Sequence, residues 1–369
     1  MHLYVHIPFC HRICPYCAFF KHTPASTDMK SFIRALGREA ESRAAALATN
    51  RGGETATLYF GGGTPSMLSD THLGHFMETL DRLVPVDKLD EFSFEANPAT
   101  FTEKKVRFWR SLGMTRVSLG VQSLDSGILH LLGREHTPAQ ALHSVEMLKN
   151  AGMPHINMDL MFAIPGQTLS IWEATLKEAV RAGTDHISAY NLTYEEDTEF
   201  FRSLLRGEKR QDPDEDAAFF ELAEHMLEAA GLRHYETSNY AREGCISPHN
   251  MAYWKGEDYV GIGPGAVSTI NGIRYSNTRD TDAYIRSTLE NGLPLSEQEP
   301  VTEEDYRLER IALMLRTDEG LPLKYILPES RPLLEQYREL GLADISPEQR
   351  FILKGRGRLL VDAIAAELC

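Results

Sequence analysis

The sequence has little cysteine, little positive charge and no long apolar run, and each shortage excludes a class of protein. Its 38 lysines and arginines are outnumbered by 53 aspartates and glutamates, and the net charge of −15 argues against a nucleic-acid partner. No apolar stretch approaches the length of a membrane span, and no basic-then-apolar signal peptide opens the chain. We therefore expect a cytoplasmic protein, with peripheral contact at the inner membrane left open.

The five cysteines are too unevenly placed for a disulfide framework. Cys245 and Cys369 lie far along the chain from the other three, and an odd total leaves one unpaired. The remaining three, Cys10, Cys14 and Cys17, share one short segment, which can curl so that all three thiolates converge on one soft metal centre. A four-iron cluster normally takes four thiolates, so three would leave one iron open to a small molecule.

Two other interpretations of this cysteine segment stay open on the residues alone. Inert buried thiols are the simpler one, because free cysteine is usually buried. A structural zinc site is the second, made of the three cysteines and either His6 or His11, since zinc readily takes such a ligand set. The tight spacing and the flanking prolines favour a metal centre over inert thiols.

Strand-like and helix-like patterns alternate from residue 1 to about residue 190. Six strands separated by helices of ordinary length predict a parallel sheet with right-handed crossovers. The strands are expected at residues 3–6, 57–60, 91–95, 116–119, 156–161 and 186–190. Distinctive polar residues lie at the C-terminal strand ends, which is how barrels of this class build a site. We therefore predict an α/β fold with an incomplete (β/α)6 TIM-like barrel.

Helix signals in this region include apolar stripes, caps and glycine stops. One helix is expected over residues 28–48, and a capping box at Ser170-x-x-Glu173 predicts the start of another. A further helix is expected over residues 217–230, after a charged connection that contains proline. The helices between the six strands supply the crossovers that a parallel sheet requires, and the helix at 217–230 follows the last of these strands.

The alternation of strand and helix patterns gives way to a mostly helical pattern in the last third of the chain. Three helices and a short hairpin predict a mostly helical, winged-helix-like end domain, with the helices at 305–315, 332–340 and 357–368 and the hairpin at 345–353. We place the domain division between residues 1–235, the barrel and its following helix, and residues 236–369.

Several polar residues at or near the strand ends are candidates for a site. Gly61–Thr64 follows the second strand and lets the backbone approach a ligand closely, although an ordinary tight turn has the same composition. Glu95, Gln122 and Asp159 belong to the next three strands, and Arg134 offers a guanidinium group for a carboxylate. Taken singly, each of these side chains also fits an ordinary structural or solvated residue.

The cysteine spacing, with Tyr16 as the aromatic residue before the third cysteine, resembles the signature of radical S-adenosylmethionine (SAM) enzymes. In that family three cysteines hold a 4Fe-4S cluster, and the amino and carboxylate groups of SAM chelate the open iron. An electron from the cluster then cleaves SAM to a 5′-deoxyadenosyl radical. The resemblance implies that the metal ligands here are Cys10, Cys14 and Cys17.

A closer resemblance, to the oxygen-independent coproporphyrinogen III oxidase group, covers nearly the whole chain. Its motifs appear in order as Tyr-Val-His-Ile-Pro-Phe-Cys from residue 4, Gly-Gly-Gly-Thr-Pro from 61, Gly-Val-Gln-Ser from 120, Gly-Arg-Glu-His from 133 and Asp-Leu-Met-Phe-Ala-Ile-Pro-Gly-Gln-Thr from 159. The resemblance implies SAM contacts from Tyr4, Gly61, Gly62, Thr64 and Glu95. In the oxidase, a second SAM lies near the positions that match Tyr16, Gln122, Arg134 and Asp159.

Two departures separate this chain from the oxidase itself. Phe19 stands where the oxidase has a further cysteine, and the cysteine motif is reached at residue 10, whereas the oxidase has a longer segment before it. Both favour a related branch of haem chaperones, which bind haem and pass it to client haemoproteins. The segment His249-Asn250-x-x-Tyr253-Trp254 matches that branch, and His249 is its candidate haem ligand.

The leading hypothesis is therefore a haem chaperone on a radical SAM scaffold, with haem as cargo and no catalytic residue assigned. Its expected partners are haem and client haemoproteins such as respiratory enzymes, and both a monomer and a homodimer are open. The alternative is a true oxidase, which decarboxylates two propionates of coproporphyrinogen III to vinyl groups and yields protoporphyrinogen IX.

Overall fold

A computed structural model of the protein describes residues 1–24, 27–48, 56–207, 212–294 and 296–369. The strands in this part of the chain are β1 His2–Ile7, β2 Thr57–Gly62, β3 Glu91–Ala96, β4 Arg116–Gln122, β5 His155–Phe162, β6 His186–Asn191, β7 Arg233–Glu236, β8 Asn239–Ala241, β9 Tyr259–Ile262, β10 Val267–Ile270, β11 Ile273–Asn277, β12 Ser296–Pro300, β13 Leu321–Pro322, β14 Ala343–Ile345 and β15 Arg350–Leu353.

The helices of the same residues connect these strands and cover the sheet. They are α1 Met29–Ser42, α2 Ala44–Ala48, α3 Asp70–Leu80, α4 Glu103–Ser111, α5 Ser126–Leu131, α6 Pro138–Asn150, α7 Leu169–Ala182, α8 Glu199–Leu205, α9 Pro213–Ala229, α10 Pro248–Trp254, α11 Thr281–Asn291, α12 Glu303–Met314, α13 Arg331–Glu339 and α14 Val361–Leu368. None of the helices so described is long and apolar enough to cross a membrane.

Strands β1 to β6 lie side by side in chain order, and every neighbouring pair is parallel. Each strand is mostly buried, because barrel side chains fill one face and helices cover the other. Phe60 of β2 packs against Phe76 of α3 at 5.8 Å between ring centroids, and Phe94 of β3 packs against Trp109 of α4 at 4.9 Å. The six predicted strands and the incomplete (β/α)6 TIM-like barrel are confirmed.

Later strands extend both edges of this parallel sheet. Strand β9 pairs in parallel with β1, β10 to β12 continue antiparallel beyond it, and β8 and β7 are added beside β6. The predicted division at 235/236 falls inside β7 (Arg233–Glu236) and assigns β8 to β12 to the second part. That division stays a prediction, because shared strand pairing does not tell whether a part folds by itself.

The end of the chain has a hydrophobic core of its own. Helices α12, α13 and α14 pack around the antiparallel sheet β13-β15-β14, with fully buried Ile311, Leu321 and Phe351 at the centre. This arrangement confirms the mostly helical, winged-helix-like end. The Thr237 amide donates to the Arg316 carbonyl at 2.8 Å and so joins this unit to the strand region.

Four helix predictions are wrong at an end or in the middle. The side chain of Thr168, not Ser170, caps α7, because it accepts a hydrogen bond from the amide three residues later at 3.3 Å. Helix α9 starts at Pro213, earlier than predicted, since Asp212 caps it and proline suits the first helical position. The helix expected over 28–48 is interrupted at Arg43. The last helix starts at Val361, four residues later than predicted, because residues 355–357 form a separate 3-10 turn.

Candidate functional site

The cysteine loop follows β1 and is fixed to the glycine turn that follows β2. The Thr64 amide donates to the Phe9 carbonyl at 2.7 Å, and the Cys10 amide donates to the His22 carbonyl at 3.0 Å. A Cβ atom on Gly63 would lie 2.7 Å from the Phe9 carbonyl oxygen, which is too close for any side chain. Glycine at this position therefore lets the two loops touch through their backbones.

One cavity opens at the C-terminal ends of the barrel strands, next to this loop. Most of the predicted site residues line it together: Cys10, Cys14, Tyr16, Cys17, Gly62, Thr64, Glu95, Gln122, Arg134 and Asp159. The strand-end prediction is therefore correct in placement, since side chains from five strand regions reach one space.

A hydrogen-bond relay connects two of the three thiols. Arg134 donates to the sulfur of Cys14 at 3.8 Å and to the side-chain oxygen of Asn97 at 2.6 Å. Asn97 donates in turn to the Thr64 hydroxyl at 3.0 Å, and that hydroxyl donates to the sulfur of Cys10 at 3.5 Å. Donors aimed at sulfur favour thiolate ligands and stabilise negative charge on an iron–sulfur cluster. The relay therefore fits a cluster that Cys10 and Cys14 share.

Among the residues of the cavity wall, Glu95 is the main candidate for binding a cationic group. Its carboxylate accepts hydrogen bonds from the Tyr59 hydroxyl at 2.8 Å and from the Gly62 amide at 3.2 Å. Burial raises the pKa of Glu95 to about 7, although both hydrogen bonds act in the opposite direction. Near neutral pH a cationic group arriving at this carboxyl would draw it to the ionised form.

Gln122 and Asp159 lie on the neighbouring strands β4 and β5, and each accepts a hydrogen bond from a hydroxyl group. Gln122 accepts from the Tyr190 hydroxyl at 2.5 Å, and its backbone has a φ of 69°, in the left-handed region that is unusual for such a residue. Asp159 accepts from the Ser118 hydroxyl at 2.9 Å and from the Asn157 amide at 2.7 Å. Burial raises the pKa of Asp159 despite these hydrogen bonds.

Tyr4 and Gly61 lie behind the cavity wall and do not line it. The Tyr4 hydroxyl bonds the Nδ1 atom of His6 at 3.0 Å, and its ring stacks on Tyr59 with 6.1 Å between centroids. A Cβ atom on Gly61 would lie 2.9 Å from a carboxylate oxygen of Glu95. Both residues thus shape the surroundings of Glu95, and direct contact of either with SAM stays a prediction.

Two aromatic residues of the cysteine loop differ in exposure. The Tyr16 ring packs 6.3 Å from that of Phe200, and burial raises the pKa of the Tyr16 hydroxyl, which is therefore neutral at physiological pH. Phe19, in the position of the missing cysteine, lines the cavity mouth and is 70% exposed.

His249 is far more enclosed than its sequence context indicated. The residue is 1% exposed, its ring stacks on Tyr59 at 4.9 Å, and its Nδ1 atom bonds the Thr57 hydroxyl at 2.7 Å. Its Nε2 atom is buried and has no hydrogen-bond partner among the described residues. Burial, with a contribution from nearby His2, lowers the pKa of His249 to about 3, so the ring is neutral. His249 does not line the cavity of the cysteine loop.

Sequence reasoning missed several residues that line this cavity, and three of them bond predicted site residues through their side chains. Asn97, Ser118 and Tyr190 line it, and each bonds a predicted site residue. Asn97 comes two residues after Glu95, which puts it at the same edge of the sheet. The strand-end rule could therefore have found Asn97 and Tyr190.

A partial barrel with a three-cysteine loop at its C-terminal face defines the radical SAM class of protein. The sequence profile of the Radical SAM superfamily matches residues 4–179. The structure is similar to that of coproporphyrinogen III oxidase (HemN) from Escherichia coli, with a TM-score of 0.83 and 23% identity over 99% of this chain and 89% of that one. This likeness shows the fold.

Similarity to curated proteins identifies a narrower family within this class. The chain is 35% identical to "Heme chaperone HemW" of Bacillus subtilis (strain 168) over 87% of this chain and 84% of the relative. It is also 35% identical to "Heme chaperone HemW" of Mycobacterium tuberculosis (strain ATCC 25618 / H37Rv) over 99% and 94% of the two chains. The chain belongs to the HemW family of the radical SAM superfamily.

Proposed function

We propose that Cys10, Cys14 and Cys17 hold a 4Fe-4S cluster whose fourth iron binds SAM. The donors that Thr64 and Arg134 direct at two of these sulfurs support this assignment. When bound, the cluster supplies one-electron reduction, and every other property of the site comes from the surrounding residues. Arg134 and Asn97 hold the loop geometry, and burial keeps bulk water from the sulfur of Cys10.

The cavity wall is proposed to bind SAM on the side of Glu95. The ionised carboxylate would receive a cationic group, and the Gly62 backbone leaves room for close approach. We propose SAM contacts from Tyr4, Gly61, Gly62, Thr64 and Glu95, of which only the last three line the cavity. The positions proposed to lie near a second SAM are Tyr16, Gln122, Arg134 and Asp159.

We further propose that the protein is a haem chaperone, which binds haem and delivers it to haemoproteins such as respiratory enzymes. Membership of the HemW family carries this proposal, and Phe19 at the position of the oxidase's further cysteine supports it. The proposed place of action is the cytoplasm, and peripheral contact at the inner membrane is left open. No chemical turnover is assigned to it.

His249 stays the predicted haem ligand, and the structure sets a condition on that role. Its Nε2 atom is unbonded and neutral, as an iron ligand must be, but the ring is buried between Tyr59 and Tyr253. Helix α10, which carries the ring, would have to shift for haem iron to reach it. If no shift occurs, haem binds elsewhere on the chain.

Haem transfer tests this function. Anaerobically reconstituted protein is loaded with haem and mixed with an apo-haemoprotein, and the acceptor's absorption spectrum is followed. We expect stoichiometric loading and transfer in the wild type, and loss of the haem spectrum in His249→Gln. Absence of haem binding by the wild type would overturn the proposal, while unchanged binding in His249→Gln would overturn only the ligand assignment.

The cluster assignment has its own test. Cys14→Ala should lack the absorption and electron paramagnetic resonance signals of a 4Fe-4S cluster after reconstitution, because one of three ligands is lost. Cys369→Ala is the matched control, since Cys369 is exposed and distant in sequence from the loop. A full cluster signal in Cys14→Ala would contradict the assignment.

A further inference from the structure

Three potential metal ligands meet at the end of the barrel opposite the cysteine loop. His155 is the first residue of β5, Asp185 directly precedes β6, and Cys245 lies in the connection between β8 and α10. One donor atom from each lies within 4.8 Å of the donor atoms of the other two. These are the N-terminal ends of the barrel strands, whereas Cys10 and its partners occupy the C-terminal ends.

Hydrogen bonds within the trio and to neighbouring residues hold these three groups in place. Asp185 contacts the Nδ1 atom of His155 at 2.6 Å, and its other carboxylate oxygen accepts from the Ile156 amide at 2.8 Å. The Cys245 carbonyl accepts from a guanidinium nitrogen of Arg116 at 2.9 Å. Arg116 of β4 and Ile156 of β5 therefore help to position the trio, which is not a chance meeting of mobile surface groups.

We propose that His155, Asp185 and Cys245 form a second metal site, which takes zinc or a similar divalent transition-metal ion. An imidazole, a carboxylate and a thiolate are all ligands that zinc accepts in tetrahedral sites. Tetrahedral bonding to zinc places ligand atoms roughly 3.3–3.6 Å apart, so side-chain rotations of about 1 Å suffice. All three residues are partly exposed, which leaves a path for the ion and room for water as the fourth ligand.

The local charges suit a dication. On binding, the Cys245 thiol releases its proton to solvent, and its thiolate and the Asp185 carboxylate together neutralise the ion. The nearby cation Arg116 is already compensated, because it forms an ion pair with Glu91 at 2.8 Å in which both side chains are buried. No uncompensated positive charge from this pair opposes the metal.

Such a site would fasten the connection that leads into α10. Cys245 is four residues before His249, and the Ser247 hydroxyl that caps α10 also donates to Glu91 at 2.9 Å. A metal ion bound to Cys245 and His155 would link this connection to the N-terminal end of β5. The proposed ion is therefore structural, and it controls how firmly α10 is held.

Cobalt substitution in the full-length protein tests the site. The cluster cysteines are first occupied by anaerobic reconstitution, and Co²⁺ is then titrated into the wild type, Cys245→Ser and Cys369→Ser. We expect one Co²⁺ with a thiolate charge-transfer band in the wild type and in Cys369→Ser, displaced by added Zn²⁺. In Cys245→Ser the band should be lost and the affinity should fall more than about tenfold, since even loss of a ligand's hydrogen-bond partner costs about 10–100-fold.

A second variant separates ligand loss from misfolding. His155→Gln should also weaken Co²⁺ binding more than about tenfold while the band of any bound ion keeps its sulfur character, and the intact cluster spectrum reports folding in each variant. Equal Co²⁺ binding by wild type and Cys245→Ser would overturn the proposal. So would a wild type without a thiolate–cobalt band, which would make the trio a hydrogen-bond network only.

Discussion

The ionisation of Glu95 couples the cavity wall to pH. Since the pKa is raised to about 7 from 4.5 by burial, the folded protein keeps a proton between these pH values that the unfolded chain has already released. The free energy of unfolding must therefore fall as pH rises through this window. Ionised Glu95 is a cost to the empty protein that a bound cationic group can offset.

We predict that Glu95→Gln removes this pH dependence. In cluster-free protein under reductant, the stability of the variant relative to wild type should be higher at pH 8 than at pH 5 by roughly 1–3 kcal/mol. Denaturant unfolding at both pH values measures the difference. Glu196→Gln is the control, because Glu196 is exposed, and an equally pH-dependent effect there would refute the burial argument.

Within the hydrogen-bond relay, we expect replacement of Arg134 to break the largest number of contacts. Arg134→Ala removes a donor to the Cys14 sulfur and leaves Asn97 and the Gly120 carbonyl without their partner, at a cost of about 1–3 kcal/mol. It also removes positive charge beside the cluster, which should lower the cluster's reduction potential.

Arg134→Lys is the matched variant for this prediction. Lysine keeps the charge but lacks the planar fork, so its potential should lie between those of wild type and Arg134→Ala. Potentiometric titration followed by electron paramagnetic resonance measures all three proteins. Identical potentials would show that Arg134 does not act on the cluster.

At the residue scale, the sequence predicted which residues belong to the site better than it predicted how each residue is surrounded in the fold. The cysteines, Glu95, Gln122, Arg134 and Asp159 were all predicted, and all line one cavity. The burial of His249 was not foreseen, because it depends on Tyr59 and Thr57, which are nearly two hundred residues away in sequence. Contacts of that range arise from tertiary packing and leave no local pattern.

At the scale of elements, the joint between the cysteine loop and the turn after β2 is set by Gly63. We predict that Gly63→Ala destabilises the protein by roughly 1–3 kcal/mol and weakens cluster retention, because its Cβ would meet the Phe9 carbonyl at 2.7 Å. Denaturant unfolding and cluster absorbance during dilution measure both effects.

Gly74→Ala is the matched control for this change. Gly74 lies inside α3, where an added Cβ would meet only the Phe108 ring at 3.7 Å, an ordinary contact. Alanine should stabilise that helix by about 0.5–1 kcal/mol. If Gly63→Ala behaved like Gly74→Ala, the close approach of the two loops would not matter to the site.

Sequence periodicity located the six barrel strands β1 to β6, but it missed β9, which pairs in parallel with β1, and it located helix ends less well. Strand signals are strong here because buried parallel strands are nearly continuous apolar runs. Helix ends depend on one capping side chain among several candidates: Thr168 and Ser170 both fit the pattern before α7, and only the folded backbone selects Thr168. The proline rule would have found the start of α9 at Pro213.

At the scale of the whole molecule, one sheet connects two regions with different proposed tasks. The cysteine loop lies above the C-terminal strand ends, and α10 packs against β2 from the later part of the chain. Tyr59 joins them, since its hydroxyl bonds Glu95 at 2.8 Å while its ring stacks on His249 at 4.9 Å. The proposed SAM side of the cavity and the predicted haem ligand therefore share the Tyr59 side chain.

The central claim, that the chain carries haem and does not transform a porphyrin, is tested most directly by product analysis. Anaerobically reconstituted wild type is offered haem in one sample, and coproporphyrinogen III with SAM and reductant in another, with Cys14→Ala as the cluster-free control. The account predicts stoichiometric haem binding and no protoporphyrinogen IX. Turnover of coproporphyrinogen III to protoporphyrinogen IX by wild type, and not by Cys14→Ala, would contradict it and make the protein an oxidase despite Phe19.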